Sequence, residues 1–92
     1  MEKIIVNNKE FNAIKIPTPN TSLLLIQGNK GMLACGYINV VTADKLNEAT
    51  VIVTGVNNFE DMLKAKVFKI SDAAKKLGIT EKMNGEQALT YL

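Results

Sequence analysis

The hydrophobic periodicity changes near residue 58, and this change constrains the fold more than any other feature of the sequence. Before that point, apolar residues come in short β-branched runs separated by glycine, proline and asparagine, which is typical of strands and turns. Beyond it, apolar residues recur at helical spacing: Phe59, Met62, Leu63, Val67, Ile70, Ala74 and Leu77. We therefore expect one α+β domain, residues 1–92, in which C-terminal helices (58–92) pack on a sheet of N-terminal antiparallel hairpins and a central strand.

Two hairpins are predicted in the first half of the chain. Residues 3–6 and 11–16 read as strands joined by a turn at Asn7 and Asn8, because asparagine readily adopts turn conformations. Residues 22–27 and 32–38 read as a second pair, joined by a tight connection between Gly28 and Gly31. An isolated hairpin is marginally stable and its free edges invite pairing, so we expect the hairpin of residues 1–16 to serve in oligomerisation.

The remaining elements are predicted from capping signals. Residues 42–49 read as a short helix capped by Thr42, and 50–56 as the central strand. The helical stripe is expected to begin at the cap Asn58 and to break between residues 65 and 68, with a new cap at Ser71 and an end at Gly78. A last helix should begin after Asn84, which forms a capping box with the glutamine three positions later.

Composition excludes several classes of function. The 11 basic residues are all lysines, they are scattered, and the net charge is only +2, so no nucleic-acid binding is expected. The longest apolar run, residues 23–26, is far shorter than a membrane span, and residues 1–7 lack the apolar core of a signal peptide. A single cysteine excludes an internal disulfide framework. We expect a cytoplasmic protein without membrane contact.

Cys35 is the one side chain with intrinsic nucleophilic or metal-binding chemistry, since the chain has no histidine. Its apolar neighbours favour a small core residue. A reactive thiol would instead need activation by a lysine, a backbone nest near Gly36 or a helix N-terminus. Gly36 would open space beside the thiol. One thiolate with scattered carboxylates does not make a zinc site within a subunit, and no cofactor motif is present, so no metal or cofactor is expected.

The sequence also resembles a known family. The resemblance runs over most of the chain and is carried by Gly31-Met32-Leu33-Ala34-Cys35-Gly36, Val40, the strand 51–55 with Val56, Leu77-Gly78-Ile79, Met83-Asn84-Gly85 and Ala88-Leu89. These residues are similar to the YunC-like family of bacteria and archaea, domain of unknown function 1805. The resemblance implies a small α+β fold that assembles as tetramers through its N-terminal strands, and it brings no established activity. We call the segment Gly31–Gly36 the glycine box. In that family the position three residues after the last glycine of this box is often acidic. Here it is Asn39, whose amide cannot serve as a base.

Three functions remain open from the sequence. The favoured one is a homo-oligomeric binding or accessory domain, with Gly31, Cys35, Gly36 and Asn39 as ligand-binding residues. A thiol-dependent enzyme or redox sensor that uses Cys35 as its catalytic residue is the second, so the sequence leaves open whether the protein is an enzyme. The third is a small subunit that docks on a larger enzyme, which requires an apolar surface left free by the homo-oligomer.

Overall fold

The computed structural model of the protein describes residues 1–92 and contains one six-stranded sheet with four short helices. The strands run in chain order across the sheet: β1 (Glu2–Val6), β2 (Lys9–Pro17), β3 (Ser22–Gln27), β4 (Gly31–Ala34), β5 (Ala49–Ile52) and β6 (Lys69–Ile70). The helices are α1 (Val40–Lys45), α2 (Phe59–Lys64), α3 (Asp72–Lys76) and α4 (Gly85–Leu89). The expected α+β class is confirmed.

The sheet is mixed. β1 to β4 pair antiparallel through the two predicted hairpins, and the first turn has positive φ at both Asn7 (52°) and Asn8 (65°). β4 and β5 then pair in parallel, which requires a crossover connection, and α1 lies in that crossover. β6 adds antiparallel to β5 and forms the second edge. The parallel pair is the feature that positions the site described below.

Several boundaries differ from the sequence-based expectation. The strands predicted over 32–38 and 50–56 end earlier, at Ala34 and Ile52. The helix predicted over 42–49 with a Thr42 cap was misplaced: α1 begins at Val40 because the Asn39 side chain accepts the Val41 N–H at 2.7 Å. The region 58–92 contains α2, α3 and α4, and the helical stripe breaks at residues 65–68 as predicted, but the short strand β6 then follows the break.

The C-terminal caps lie where the sequence predicts them. Asn58 accepts the Asp61 N–H at 2.8 Å, and Asn84 forms the complete capping box with Gln87. Gly78 has a φ of 102°, which suits a helix C-terminus. The Ser71 hydroxyl accepts the Thr50 N–H and donates to the Glu48 carbonyl, both at 2.8 Å, and so it also ties α3 to β5.

The core lies on one face of the sheet, under α2, α3 and α4. Leu33 of β4 is flanked there by Ile26 and Val51 in register, and all three side chains are fully buried. α1 lies against the opposite face, where it covers Ile52 of β5. It does not extend over β1 to β3. That part of the second face is left without a helix.

Candidate functional site

Cys35 is the first residue beyond β4, and two hydrogen bonds hold it to Leu24 of β3. Its N–H donates to the Leu24 carbonyl at 3.1 Å, and its sulfur accepts the Leu24 N–H at 3.3 Å. The residue is 5% exposed and belongs to the hydrophobic core. The thiol is therefore a packed side chain whose remaining exposed surface faces one cavity.

That cavity exists because the neighbouring strands β4 and β5 end in register, at the same edge of the sheet. The Cys35 carbonyl accepts the Ile38 N–H at 3.1 Å, which turns the chain away from β3. On β5, the last link to β4 is the Val53 N–H, which donates to the Ala34 carbonyl at 2.9 Å. Gly55 then adopts a φ of 70°, a conformation that favours glycine. Beyond Ala34 and Val53 the two segments no longer pair with each other.

The cavity has a volume of about 470 Å³ and is lined by three segments, 21–22, 35–37 and 54–57. It lies outside the carboxyl ends of the parallel strands β4 and β5. In open sheets with parallel strands, this end is the usual position of a ligand site, because the chains diverge there into loops. The volume falls within the range of small-molecule pockets.

The lining mixes polar and apolar groups and carries no charged side chain. It contributes the hydroxyls of Thr21, Ser22, Tyr37 and Thr54, the Asn57 amide and the Cys35 thiol. One carboxylate is hydrogen-bonded to the lining: Asp61 of α2 accepts the Asn57 N–H at 3.0 Å. A lining without a charged side chain offers a ligand hydrogen bonds and shape.

Two of the four predicted ligand residues lie at this cavity. Cys35 and Gly36 form its wall, and a side chain on Gly36 would meet only the Thr54 methyl, at 3.6 Å, so the space expected beside the thiol is present. Gly31 lies at the opposite end of β4, where any side chain would overlap the Ala49 carbonyl. Asn39 is the α1 cap. The structure gives both of these residues local structural roles.

Sequence reasoning missed the segments 54–57 and 21–22. The glycine that ends the β-branched run at residue 55 was a usable signal, because a glycine turn after a strand often borders a site. What the sequence lacked was the parallel register that brings residue 54 beside residue 36. No group of three or more histidine, cysteine, aspartate or glutamate side chains could hold a metal ion. None of the helices has the length and apolarity needed to cross a membrane.

The mixed six-stranded sheet, the α1 crossover and the cavity at the ends of β4 and β5 define a small α+β domain with a candidate ligand pocket at that end of the sheet. Residues 34–92 match the family described as a domain of unknown function (DUF1805), and the chain belongs to that family. The predicted family resemblance is confirmed.

Two similar proteins are known by name. The chain is 28% identical to the "Uncharacterized protein YunC" of Bacillus subtilis (strain 168), over 94% of this chain and 89% of that protein. Its fold matches the crystal structure of a protein of unknown function, TA1206 from Thermoplasma acidophilum, with a TM-score of 0.93 and 35% identity. That match covers 99% of this chain and 89% of the other.

Proposed function

We propose that the protein is a homo-oligomeric binding domain, a cytoplasmic accessory protein that captures a small ligand and performs no chemistry of its own. The cavity at the carboxyl ends of β4 and β5 carries this proposal. It offers hydroxyls and backbone groups from three separate segments of the chain, as a specific binding site requires. The free, buried thiol of Cys35 is compatible with a reducing compartment.

Assembly is supported by the sheet face that no helix covers. Its apolar side chains come from three neighbouring strands: Ile5 (73%) and Ile16 (52%) are strongly exposed in the single chain, and Ile14 and Leu25 are partly exposed. The registers set Ile14 opposite Leu25 and Ile16 opposite Leu23, so these four side chains form a continuous patch, while Ile5 lies further along the same face, opposite Glu10. Contiguous exposed apolar surface on a small domain marks an interaction site. We call this patch the sheet surface.

A second apolar surface supports a tetramer over a dimer. Tyr37, Val41 and Phe68 border one groove between α1 and β6, and each is more than half exposed. This helix surface is separate from the sheet surface, which lies on β1 to β3. A tetramer with three two-fold axes needs at least two different self-complementary interfaces, and the chain offers two such surfaces.

Sedimentation equilibrium of single-site variants tests the assembly. The wild-type protein is expected to sediment as a tetramer at micromolar concentration. Ile16→Lys and Phe68→Glu each place a charge in one surface, and each should yield dimers, whereas Thr80→Lys at an exposed position outside both should not. A monomeric wild-type protein contradicts the proposal. If the Phe68→Glu variant still sediments as a tetramer, the helix surface is not used in assembly. It is then free for docking on a larger protein, which is the third function left open by the sequence.

Fragment binding followed by amide NMR tests the cavity. Fragments that bind should shift the amides of residues 35–37 and 54–57 in the wild-type protein. Gly36→Leu should abolish those shifts, because its side chain extends into the open space of the cavity. Asn29→Leu, on an exposed turn outside the cavity, is the matched control and should bind as the wild type does. Fragment shifts that persist in Gly36→Leu would refute the site.

A thiol-dependent enzyme is the second candidate, because Cys35 borders the cavity. It requires a thiol that reacts in the folded protein and a partner that manages the proton. Turnover or sensing lost in Cys35→Ala, with ligand binding intact, would favour this candidate over the binding domain. The binding domain predicts that Cys35→Ala retains the ligand and the tetramer.

A further inference from the structure

The sequence contains one chemically labile pair of residues, Asn84-Gly85, which the proposed binding function does not use. In an unfolded chain, the backbone nitrogen of the residue after an asparagine can attack the carbonyl carbon of the asparagine side chain. Glycine favours this attack most, because it has no side chain in the way and leaves the backbone free to rotate. No other asparagine in the chain precedes a glycine. Asn84 is therefore the asparagine most prone to this reaction when the chain is open.

The reaction converts a side-chain amide into an acid and needs only water. The Gly85 nitrogen loses its proton and bonds to Cγ of Asn84, while the bond from Cγ to Nδ2 breaks. The released nitrogen takes up that proton and leaves as ammonia. Water then opens the cyclic imide. Cleavage of the new bond to Cγ gives aspartate, and cleavage of the original backbone C–N bond gives isoaspartate, in which the main chain runs through Cβ and Cγ.

The folded chain holds both reacting groups in other bonds. The Gly85 N–H donates to the Ala65 carbonyl at 2.9 Å, so the proton that must leave is held in a hydrogen bond. The Asn84 side-chain oxygen accepts the Gln87 N–H, and the Gln87 side chain accepts the Asn84 N–H, both at 2.9 Å. Ring closure requires rotation of the Asn84 ψ angle away from 176°. That rotation would break the bond between Gly85 and Ala65.

Gly85 also lacks the space to move. It is buried at the start of α4, where even a Cβ atom would overlap the Met62 carbonyl. α4 packs against α2 and β4, and its Leu89 side chain is fully buried in the core. The Gly85 nitrogen can therefore leave Ala65 only when the start of α4 lifts away from the rest of the domain.

Water is not what the folded chain withholds from this reaction. Asn84 is only half-buried, and it borders a cavity of about 450 Å³ that also contacts Asn7 of the first turn. Solvent therefore reaches the side chain, and ammonia has a path out. The step that the fold prevents is the first one, the attack by the Gly85 nitrogen.

We infer that Asn84 is a spontaneous modification site that α4 keeps closed while it is packed on the domain, so that Asn84 is converted only when α4 detaches. This inference does not depend on the proposed binding function of the cavity. The two products differ in their effect. Aspartate caps a helix as well as asparagine does, and its charge suits the positive end of the helix. Isoaspartate lengthens the main chain where Gly85 has no room, so α4 cannot return to its place.

Peptide mapping by mass spectrometry tests the closed site. In urea, Asn84 should be converted faster than every other asparagine. In the native protein its conversion should be at least about tenfold slower than in urea, because only the open fraction reacts. Hydrogen exchange of the Gly85 N–H requires the same opening, so the two slowing factors should agree within about threefold. Equal conversion rates in the native and unfolded protein, or slow conversion with an unprotected Gly85 N–H, would overturn the inference.

Gln87→Met separates the effect of the fold from the local chemistry. It removes the acceptor of the Asn84 N–H and keeps a similar side-chain length and helix propensity. In the native protein, conversion of Asn84 should become about two- to tenfold faster, whereas the rate in urea should stay the same. Lys82→Ala, at an exposed position two residues before Asn84, is the matched control and should be converted as the wild type is. An unchanged native rate in Gln87→Met would contradict the role of α4.

Proteins of defined composition test the effect of the two products. Cys35 is the only cysteine, so the chain can be assembled by ligation of residues 1–34 to synthetic residues 35–92. Asparagine, aspartate or isoaspartate at position 84 gives three matched proteins. The aspartate form should unfold at the same urea concentration as the asparagine form. The isoaspartate form should unfold at a lower one and lose protection of the Gly85 N–H. An isoaspartate form as stable as the other two would overturn the claim that this product prevents the return of α4.

Discussion

The adjacent residues Met62 and Leu63 of α2 offer a matched test of how the helices pack on the sheet. The sequence placed both on one apolar stripe, but the structure separates them: Met62 is fully buried and Leu63 only partly. Truncation of Met62 to alanine removes three buried heavy atoms, a transfer loss of about 2.4 kcal/mol at 0.8 kcal/mol each. A residual cavity of about 50 Å³ would add about 1.2 kcal/mol. We expect Met62→Ala to lower the free energy of unfolding by about 3.5 kcal/mol.

Leu63→Ala should lower it by about half as much, because solvent already reaches that side chain. Methionine and leucine have similar helix propensities, so the backbone contribution cancels between the two variants. Urea unfolding followed by circular dichroism measures both, at one protein concentration because assembly contributes to apparent stability. Equal losses, or a larger loss for Leu63→Ala, would refute the burial of Met62 in the core beneath α2.

Three further predictions concern single positions. Gly85→Ala should destabilise by about 1–3 kcal/mol in urea unfolding, because its side chain would overlap the Met62 carbonyl; a neutral effect would mean that α4 is more loosely packed. Asn84→Ala should lower stability by about 1 kcal/mol through loss of the capping box, whereas Asn29→Ala on an exposed turn should change it by less than about 0.5 kcal/mol. Cys35 should react with iodoacetamide at least about tenfold more slowly in the native protein than in the unfolded chain, because it is only 5% exposed; equal rates would show an open thiol.

Local chemistry made part of the fold predictable. The Asn7–Asn8 turn and the caps Asn58, Ser71 and Asn84 depend on residues within a few positions of one another, and the structure confirms each. The Thr42 cap was wrong for an equally local reason, since Asn39 competes for the same role and binds the Val41 N–H. Where two capping residues lie three positions apart, sequence alone does not choose between them.

The non-local features were not predictable in the same way. The parallel pairing of β4 with β5 and the addition of β6 depend on the register of distant segments, which no short pattern encodes. β6 was hidden because its two residues, Lys69 and Ile70, lie within a stretch of helical periodicity.

Only part of the candidate site was predictable, because the rest depends on the same non-local strand pairing. Cys35 and Gly36 stand out in the sequence by residue type, whereas Thr54 and Gly55 join them only through the parallel register. Gly31 belongs to the same sequence box but serves the close approach of β4 to Ala49. The box therefore combines a packing glycine at one end of β4 with a cavity at the other.

Native mass spectrometry of the protein purified from its own organism tests the central proposal most directly. It reports the number of subunits and any small molecule retained without a covalent bond. We expect a tetramer of the 10.1 kDa chain that carries a small ligand, and we expect Gly36→Leu to form the same tetramer without it. A ligand-free monomer under the same conditions, at a concentration where the tetramer should persist, would contradict both the assembly and the binding function.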